Sequence, residues 1–288
     1  MSNAKEPQYS TLNYAVENQC QRYKERVVIV TGGAQGLGRV IAKRLAEEGA
    51  SLMLCDISEA QVERTAKKLQ DETGQAVGWT CGDLSQQNVA EEMVAATMAK
   101  YGRIDTLVNN AAGLIRMRLE EFSEDLLQKA VDWNVWNTLR CCKAVLPVMQ
   151  KQQYGRIVNV GGEAWRTGAP FHTLLGGVGK GSMVGLTATL AGDTVQQGIT
   201  VNCVSPGGFE SVADGDFEGR SLGKPMDPAW NPPERMKELM EFATSSKAGM
   251  GRLAHPTEVA SAIAYFGSPE ASFVTGQHIG VSGGMVMI

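Results

Sequence analysis

Three sets of residues in this chain are spaced for work on a bound anion and a proton. Thr31-Gly-Gly-Ala-Gln-Gly-Leu-Gly38 follows the apolar run Val27–Val30 and opens an amphipathic stretch, Arg39–Ala46. Glycines let the backbone pass a pyrophosphate with no Cβ in the way, and the free N–H groups of the helix's first turn face such an anion. Gly32, Ala34, Gln35, Gly36, Leu37 and Gly38 are the candidate cradle. Asp56 closes the next apolar run, Ser51–Asp56, eighteen residues past Gly38. A dinucleotide site places an acid about 20 residues on, against the adenosine ribose hydroxyls. Alone, an acid after a strand is usually a solvated turn residue; after this strand it reads as a ribose ligand. It would repel a 2′-phosphate, and no Arg or Lys in Cys55 to Ala60 offsets it, so NAD is favoured over NADP. Asp83 ends a third run, and with Ile57 and Leu84, the residues after the two acids, it is assigned to the adenine side.

Strands and helices must hold these groups in place. Strand-like runs at 27–31, 51–56, 76–84, 104–113, 155–160 and 199–204 alternate with helical stretches ending near Gly49 and spanning 59–73, 88–101, 124–152 and 182–197. That alternation predicts an α/β fold with a Rossmann-type, doubly wound parallel sheet and a ligand at the carboxyl ends of its strands. At 288 residues the chain reads as one domain, 26–288, preceded by a polar extension, 1–25, carrying Tyr9, Tyr14 and Tyr23 and read as a partly ordered arm packed on the surface or on a neighbouring subunit. A net charge of -4 gives no footprint for nucleic acid. No run approaches the roughly 18 apolar residues of a membrane span, and no signal pattern opens the chain, so a cytoplasmic protein is predicted. Six cysteines lie scattered, without Cys-x-x-Cys, and read as thiols, not disulfides or metal ligands.

Thr31-Gly-x-x-x-Gly36-x-Gly38 followed by Asn109-Asn-Ala-Ala-Gly113 resembles the classical short-chain dehydrogenase/reductase family. The likeness runs on through Ser205-Pro-Gly-Gly-Phe-Glu-Ser211, Gly251–Ala260, Ser272–Gln277 and Val281-Ser-Gly-Gly284, from about Glu25 to Gly284. It implies a sheet of about seven strands and nicotinamide redox chemistry. Asn110 and Ala111 inherit a place on the adenosine side, and Pro206, Gly207 and Ser211 one at the nicotinamide carboxamide. Asn134, inside the 124–152 helix, matches an asparagine whose local helix irregularity holds a water in a proton relay. Lys180 matches the lysine of a Tyr-x-x-x-Lys pair and binds the nicotinamide ribose. The family packs its 124–152 and 182–197 helices against neighbouring copies, which implies a homodimer or homotetramer.

One stretch departs from the pattern. Gly176 stands four residues before Lys180, where the resemblance expects the tyrosine acid/base, and Gly162 or Glu163 stands where it expects a serine. Glycine donates no side-chain proton, so the place of Gly176 is expected to be open for another group. Three residues are candidates: Glu163, whose carboxyl would be desolvated beside the ring and Trp165; His172, which titrates near neutrality; and Lys180, acting through a water. Glu163 and Arg166 can equally form a plain ion pair, or Arg166 can bind a substrate carboxylate.

Residues 212–248 change to Pro, Gly, Asp, Glu and Met and fall where the family carries a substrate lid. Phe217, Met226, Trp230, Met236, Met240 and Phe242 there suit a small hydrophobic or cyclic substrate, though an ordinary amphipathic helix over 233–244 explains them as well. The leading expectation is an NAD-dependent oxidoreductase acting on a carbonyl or alcohol carbon with a non-standard acid/base. The alternatives are a non-redox lyase or isomerase on the same scaffold, or an inactive NAD-binding subunit or sensor.

Overall fold

The computed structural model describes residues 20–210, 229–244 and 249–287. Ser211, Phe217, Met226, Tyr9 and Tyr14 lie outside these residues. Seven parallel strands form one sheet in the order β3-β2-β1-β4-β5-β6-β7. They are β1 (Val27–Thr31), β2 (Ser51–Asp56), β3 (Val77–Cys81), β4 (Thr106–Asn109), β5 (Gly155–Val160), β6 (Ile199–Pro206) and β7 (His278–Val281). The connecting helices are α1 (Gly36–Glu47), α2 (Glu59–Thr73), α3 (Val89–Tyr101), α4 (Glu124–Val131), α5 (Asn137–Gln152), α6 (Ala164–Thr167), α7 (Gly181–Thr194), α8 (Pro233–Thr244) and α9 (Pro256–Phe266).

Every residue of β1, β4, β5 and β6 is buried, as expected where helices cover both faces of a parallel sheet. Side chains alternate between two layers. Val28, Val30, Leu52 and Leu54 meet Ile41, Val62 and Ile263 of α1, α2 and α9 on one face. Ile29, Met53, Leu107 and Ile157 meet Met93, Val145 and Met149 of α3 and α5 on the other. The sheet order reverses between β1 and β4, so the crevice for a ligand opens at the ends of β1, β4 and β5.

Local chemistry shifts several expected boundaries. β3 stops at Cys81, because Asp83 instead accepts the Ser85 N–H at 2.9 Å in a side-chain turn. β4 stops at Asn109, because Asn110 turns aside to bond the glycine turn after β1. The 124–152 helix is split by a wide, five-residue turn at Asp132–Trp136, around Asn134, whose Nδ2 donates to Ala130 O at 2.8 Å and Gly113 O at 3.1 Å. A second wide turn, Thr173–Lys180, precedes α7. Tyr23, expected in a surface arm, is fully buried and donates its hydroxyl to Ala264 O at 2.7 Å. Its ring fills core volume beside α9, which a polar neighbourhood in sequence does not disclose. No described helix is long and apolar enough to cross a membrane.

Candidate active site

A cavity of about 670 Å³ runs along the carboxyl ends of the strands, from the glycine turn to the Thr173–Lys180 turn and α8. Gly32, Gln35, Gly36, Leu37, Gly38, Asp56, Ile57, Asp83, Leu84, Asn110, Ala111, Pro206 and Gly207 all line it. Gly36 has φ +54°, and a Cβ there would meet open space, which is the room a phosphate chain needs against the first turn of α1. Gly38 serves a different need: a Cβ on it would run into Gly32 O and lie 2.6 Å from Asn110 Nδ2. Asn110 holds that contact by donating from Nδ2 to Thr31 O at 3.0 Å and to Gly32 O at 3.1 Å. Its amide is thus spent on shaping the turn.

Asp56 keeps its carboxylate at the crevice, 8% exposed. Burial pushes its carboxyl up from the usual range, and N–H donors of Ala34, Ser58 and Ile57 oppose that rise. Ala34 does not line the cavity: its side chain is in the core, and only its N–H, donated to Asp56 Oδ2 at 3.1 Å, serves the site. A short side chain after two glycines is drawn under the turn, and nothing in the spacing marks that.

At the other end Lys180 is half-buried and donates to Val160 O at 2.8 Å. Burial brings its ammonium down to about 8. Gly162 lies beside it, and a Cβ there would sit 3.4 Å from Lys180 Cγ, an ordinary contact. Gly176 is different. A Cβ on it would lie 2.7 Å from Ala164 Cβ and 3.1 Å from His172 Cβ, so the space expected to be open is filled. The backbone explains why: Gly177 N–H bonds His172 O at 3.0 Å across five residues, so the segment turns more slowly than an α-helix. One wide turn before Lys180 stands Leu175, buried and lining the cavity.

Glu163 is 1% exposed, and its carboxylate does not join Lys180. Oε2 accepts from Arg166 Nε at 2.8 Å, while Oε1 faces β7, 3.8 Å from His278 Nε2 and in the room that Gly280 leaves. Burial raises its pKa and Arg166 opposes the rise. Of the two alternatives weighed for it, the geometry displays the ion pair. His278 Nε2 is also 2.7 Å from Ser205 Oγ, which accepts the Gly162 N–H at 3.1 Å. His172 lines the cavity with Nδ1 2.9 Å from Pro170 O; burial lowers its pKa, and the neighbouring Arg116 charge lowers it further. Asn134, 4% exposed, is absent from the cavity wall and packs against Gly179, where a Cβ would lie 2.6 Å from Asn134 Cβ.

A family model described as enoyl-(acyl carrier protein) reductase matches residues 32–286. The chain belongs to the classical short-chain dehydrogenase/reductase family. This dehydrogenase/reductase is 34% identical over 263 residues to the 2,3-dihydroxy-2,3-dihydro-p-cumate dehydrogenase of Pseudomonas putida, covering 91% of this chain and 95% of that one. It is 35% identical over 268 residues to the 1,6-dihydroxycyclohexa-2,4-diene-1-carboxylate dehydrogenase of Acinetobacter baylyi, covering 93% and 98%. Its structure superposes on the crystal structure of levodione reductase with a TM-score of 0.79 at 28% identity, covering 91% and 98% of the two chains. It is an oxidoreductase of this family's type, and the family's dehydrogenases typically use nicotinamide cofactors.

The wall of this dehydrogenase also contains Arg39, Arg116, Trp133, Asn137 and Leu175, which the sequence reading did not select. Arg39 had a signal, since it follows Gly38 in the first turn of α1. Arg116 and Trp133 had none, because they reach the cavity from irregular and wide-turn segments whose course depends on packing. Trp133 packs against Trp230 with ring centroids 6.0 Å apart and the planes tilted by 57°, so one of the expected lid aromatics backs the wall. Phe242 of α8 lies on the wall as well.

Proposed function

We propose that this enzyme oxidises a secondary hydroxyl of a small ring diol, a cyclohexadiene dihydrodiol, with NAD as the partner and Lys180 as the proton acceptor. The observation that carries the reading is Lys180 itself: an amine brought down to about 8, on the cavity wall, beside Gly162 and the packed Gly176. In this reading the family's serine place is Gly162 and its tyrosine place is Gly176 or Leu175, none of which carries a proton to exchange. A ring diol fits such a site because its hydroxy-ketone product becomes aromatic by moving one ring proton from carbon to the ketone oxygen, or, where the carbinol carbon bears a carboxylate, by losing carbon dioxide, so less is asked of the acid/base. The two dehydrogenases cited above are named for dihydroxylated cyclohexadienes.

NAD fits the residues at the other end. Gly36 leaves room for the phosphates, Gly38 lets the turn close against Asn110, and Asp56 favours ribose hydroxyls and repels a 2′-phosphate. Asp83, Ile57, Leu84, Asn110 and Ala111 border the adenosine side; Pro206, Gly207 and Ser211 are assigned to the nicotinamide side, and Lys180 to its ribose. The bound nicotinamide supplies hydride acceptance. Neutral Lys180 takes the hydroxyl proton at Nζ, directly or through one water, with its orientation held by Val160 O. Asn134 is assigned to that proton path. Glu163, tied to Arg166, keeps α6 against β7. The wide turns before α5 and α7 carry exposed Trp136 and Val178, which suits contact with further copies as a dimer or tetramer.

The test is a rise in absorbance of reduced nicotinamide when the purified chain meets NAD and a panel of cis-dihydrodiols. No change with any ring diol, or product formed with no change at the nicotinamide, refutes the proposal; the second outcome selects the lyase or isomerase alternative.

A further inference from the structure

We infer that His172 recognises the second hydroxyl of the substrate: Nε2 accepts a hydrogen bond from the hydroxyl next to the one being oxidised, so that vicinal ring diols are preferred over ring mono-alcohols. This rests on the ring-diol reading and gives the non-reacting hydroxyl of that substrate a partner.

The imidazole has one nitrogen fixed and one to offer. Nδ1 lies 2.9 Å from Pro170 O, which can only accept, so Nδ1 carries the proton of the neutral ring and Nε2 keeps its lone pair. Burial lowers the pKa of the ring and holds it in that neutral form at pH 7. Among the described residues Nε2 has no partner, and the side chain lines the cavity. A hydroxyl proton needs such an acceptor, and the other polar side chains around this part of the wall do not supply one. Arg116 has only N–H donors. Glu163 is tied to Arg166, and Thr167 turns its hydroxyl back to Ala164 O at 3.4 Å. Asn137 directs Nδ2 to Ala111 O at 2.7 Å and Oδ1 to the Thr138 N–H at 2.6 Å.

His172 is also built into place. Phe171, immediately before it, is buried with φ +60°, a left-handed backbone that a bulky side chain adopts only under constraint. Arg118 and Arg235 both lay their guanidiniums over its ring, 5.2 and 4.8 Å from the centroid, the second from α8. Strained backbone persists where its surroundings over-determine it, and such residues gather at ligand sites. On the other side the His172 carbonyl accepts the N–H groups of Gly176 at 2.6 Å and Gly177 at 3.0 Å, which starts the wide turn ending at Lys180. One turn therefore carries both basic nitrogens, His172 opening it and Lys180 closing it, and both side chains stand on the cavity wall. The two adjacent oxygens of a cis diol suit that pair, one passing its proton to Lys180 and the other donating to His172. Because the imidazole is fixed before a substrate arrives, little freedom remains to be lost on binding.

The deciding test needs no turnover: calorimetric titration of the NAD-bound full chain with catechol and with phenol, planar rings that differ by one adjacent hydroxyl. Wild type should bind catechol roughly 3- to 10-fold more tightly, the range for a neutral hydrogen bond. His172→Phe keeps a ring but no acceptor and should bring that ratio near one, with His172→Ala as the check against a packing fault in the larger ring. His172→Gln keeps an acceptor and should retain part of the preference. A catechol preference lost in His172→Phe and His172→Ala supports the assignment even if no diol is oxidised and the ring-diol reading fails. Equal affinity in wild type, or a preference that survives both substitutions, overturns it even if diols are oxidised. With turnover, the ratio of kcat/KM for cis-cyclohexane-1,2-diol over cyclohexanol, neither of which becomes aromatic on one oxidation, should fall by the same factor in His172→Phe, mainly through KM. An equal fall on both alcohols through kcat would make His172 an acid/base and overturns the assignment.

Discussion

The Lys180 reading leads to a quantitative pH profile. An ordinary lysine at 10.5 is neutral in only about 3 molecules in 10,000 at pH 7, whereas one at about 8 is neutral in about one in ten. Burial at the cavity wall therefore raises the supply of base about 300-fold at neutral pH. Because oxidation needs the neutral amine, kcat/KM for a ring diol should climb about tenfold per pH unit from pH 6 to 7, bend near 8 and level off above 9. Reduction, which needs the ammonium, should show the mirror-image profile. Lys180→Arg keeps a cation near Val160 O but cannot release its proton; oxidation should fall by about 100-fold or more and the inflection near 8 should vanish. Initial rates of nicotinamide absorbance change at saturating cofactor, from pH 6 to 9.5, measure this. Solvent-isotope and NAD-binding controls separate proton transfer from lost ribose contacts. A flat wild-type profile, or the same inflection in an active Lys180→Arg enzyme, would refute Lys180 as the base.

Three further outcomes follow from the geometry. Replacing Asp56 by Asn together with Ile57 by Arg should move the ratio of kcat/KM for NADP over NAD upward by at least about tenfold, since a 2′-phosphate then meets a cation in place of a carboxylate. Grafting the family tyrosine as Gly176→Tyr should lower Tm and add no activity, because its Cβ meets Ala164 and His172, while Gly162→Ser should leave Tm within a degree or two; differential scanning calorimetry decides both. Glu163→Gln should lower Tm by several degrees, as breaking a buried pair costs about 3 kcal/mol or more, yet leave kcat within about threefold. A loss of about 100-fold in kcat at unchanged Tm would instead return Glu163 to the proton chemistry.

Much of the architecture was legible in the residues themselves because it follows from short-range rules. Strand runs such as Val27–Val30 and Leu52–Cys55 are apolar without a break, as burial on both faces requires, and helices such as α1 and α2 carry the 3.6-residue period. The glycine turn is nearly as local: the open Cβ direction at Gly36 and the approach of Gly32 O to Gly38 are set within the turn, and Asn110 Nδ2 adds to the second from the end of β4. Asp56 belongs with them, since a fixed strand length places it at the same edge. The wide turns at Asp132–Trp136 and Thr173–Lys180 were not legible as such in the periodicity, which reads the first as unbroken helix.

Tertiary packing decided the rest, because it joins residues that are far apart in sequence. Glu163 looks like a base beside the reacting carbon until Arg166, Gly280 and His278 draw its carboxylate to β7, more than a hundred residues on. Gly176 looks like an empty place until α6 puts Ala164 into it, and the slower winding of the same segment puts Leu175 on the wall. Arg116 is held at the cavity by Asn231 and Trp230, more than a hundred residues on. Even Lys180, chosen from its position alone, acquires its chemistry from burial, a property of the assembled fold. Sequence by itself determined the sheet and the cradle for a nucleotide; the direction of each reactive side chain, and the proton affinity that direction confers, came from the three-dimensional surroundings.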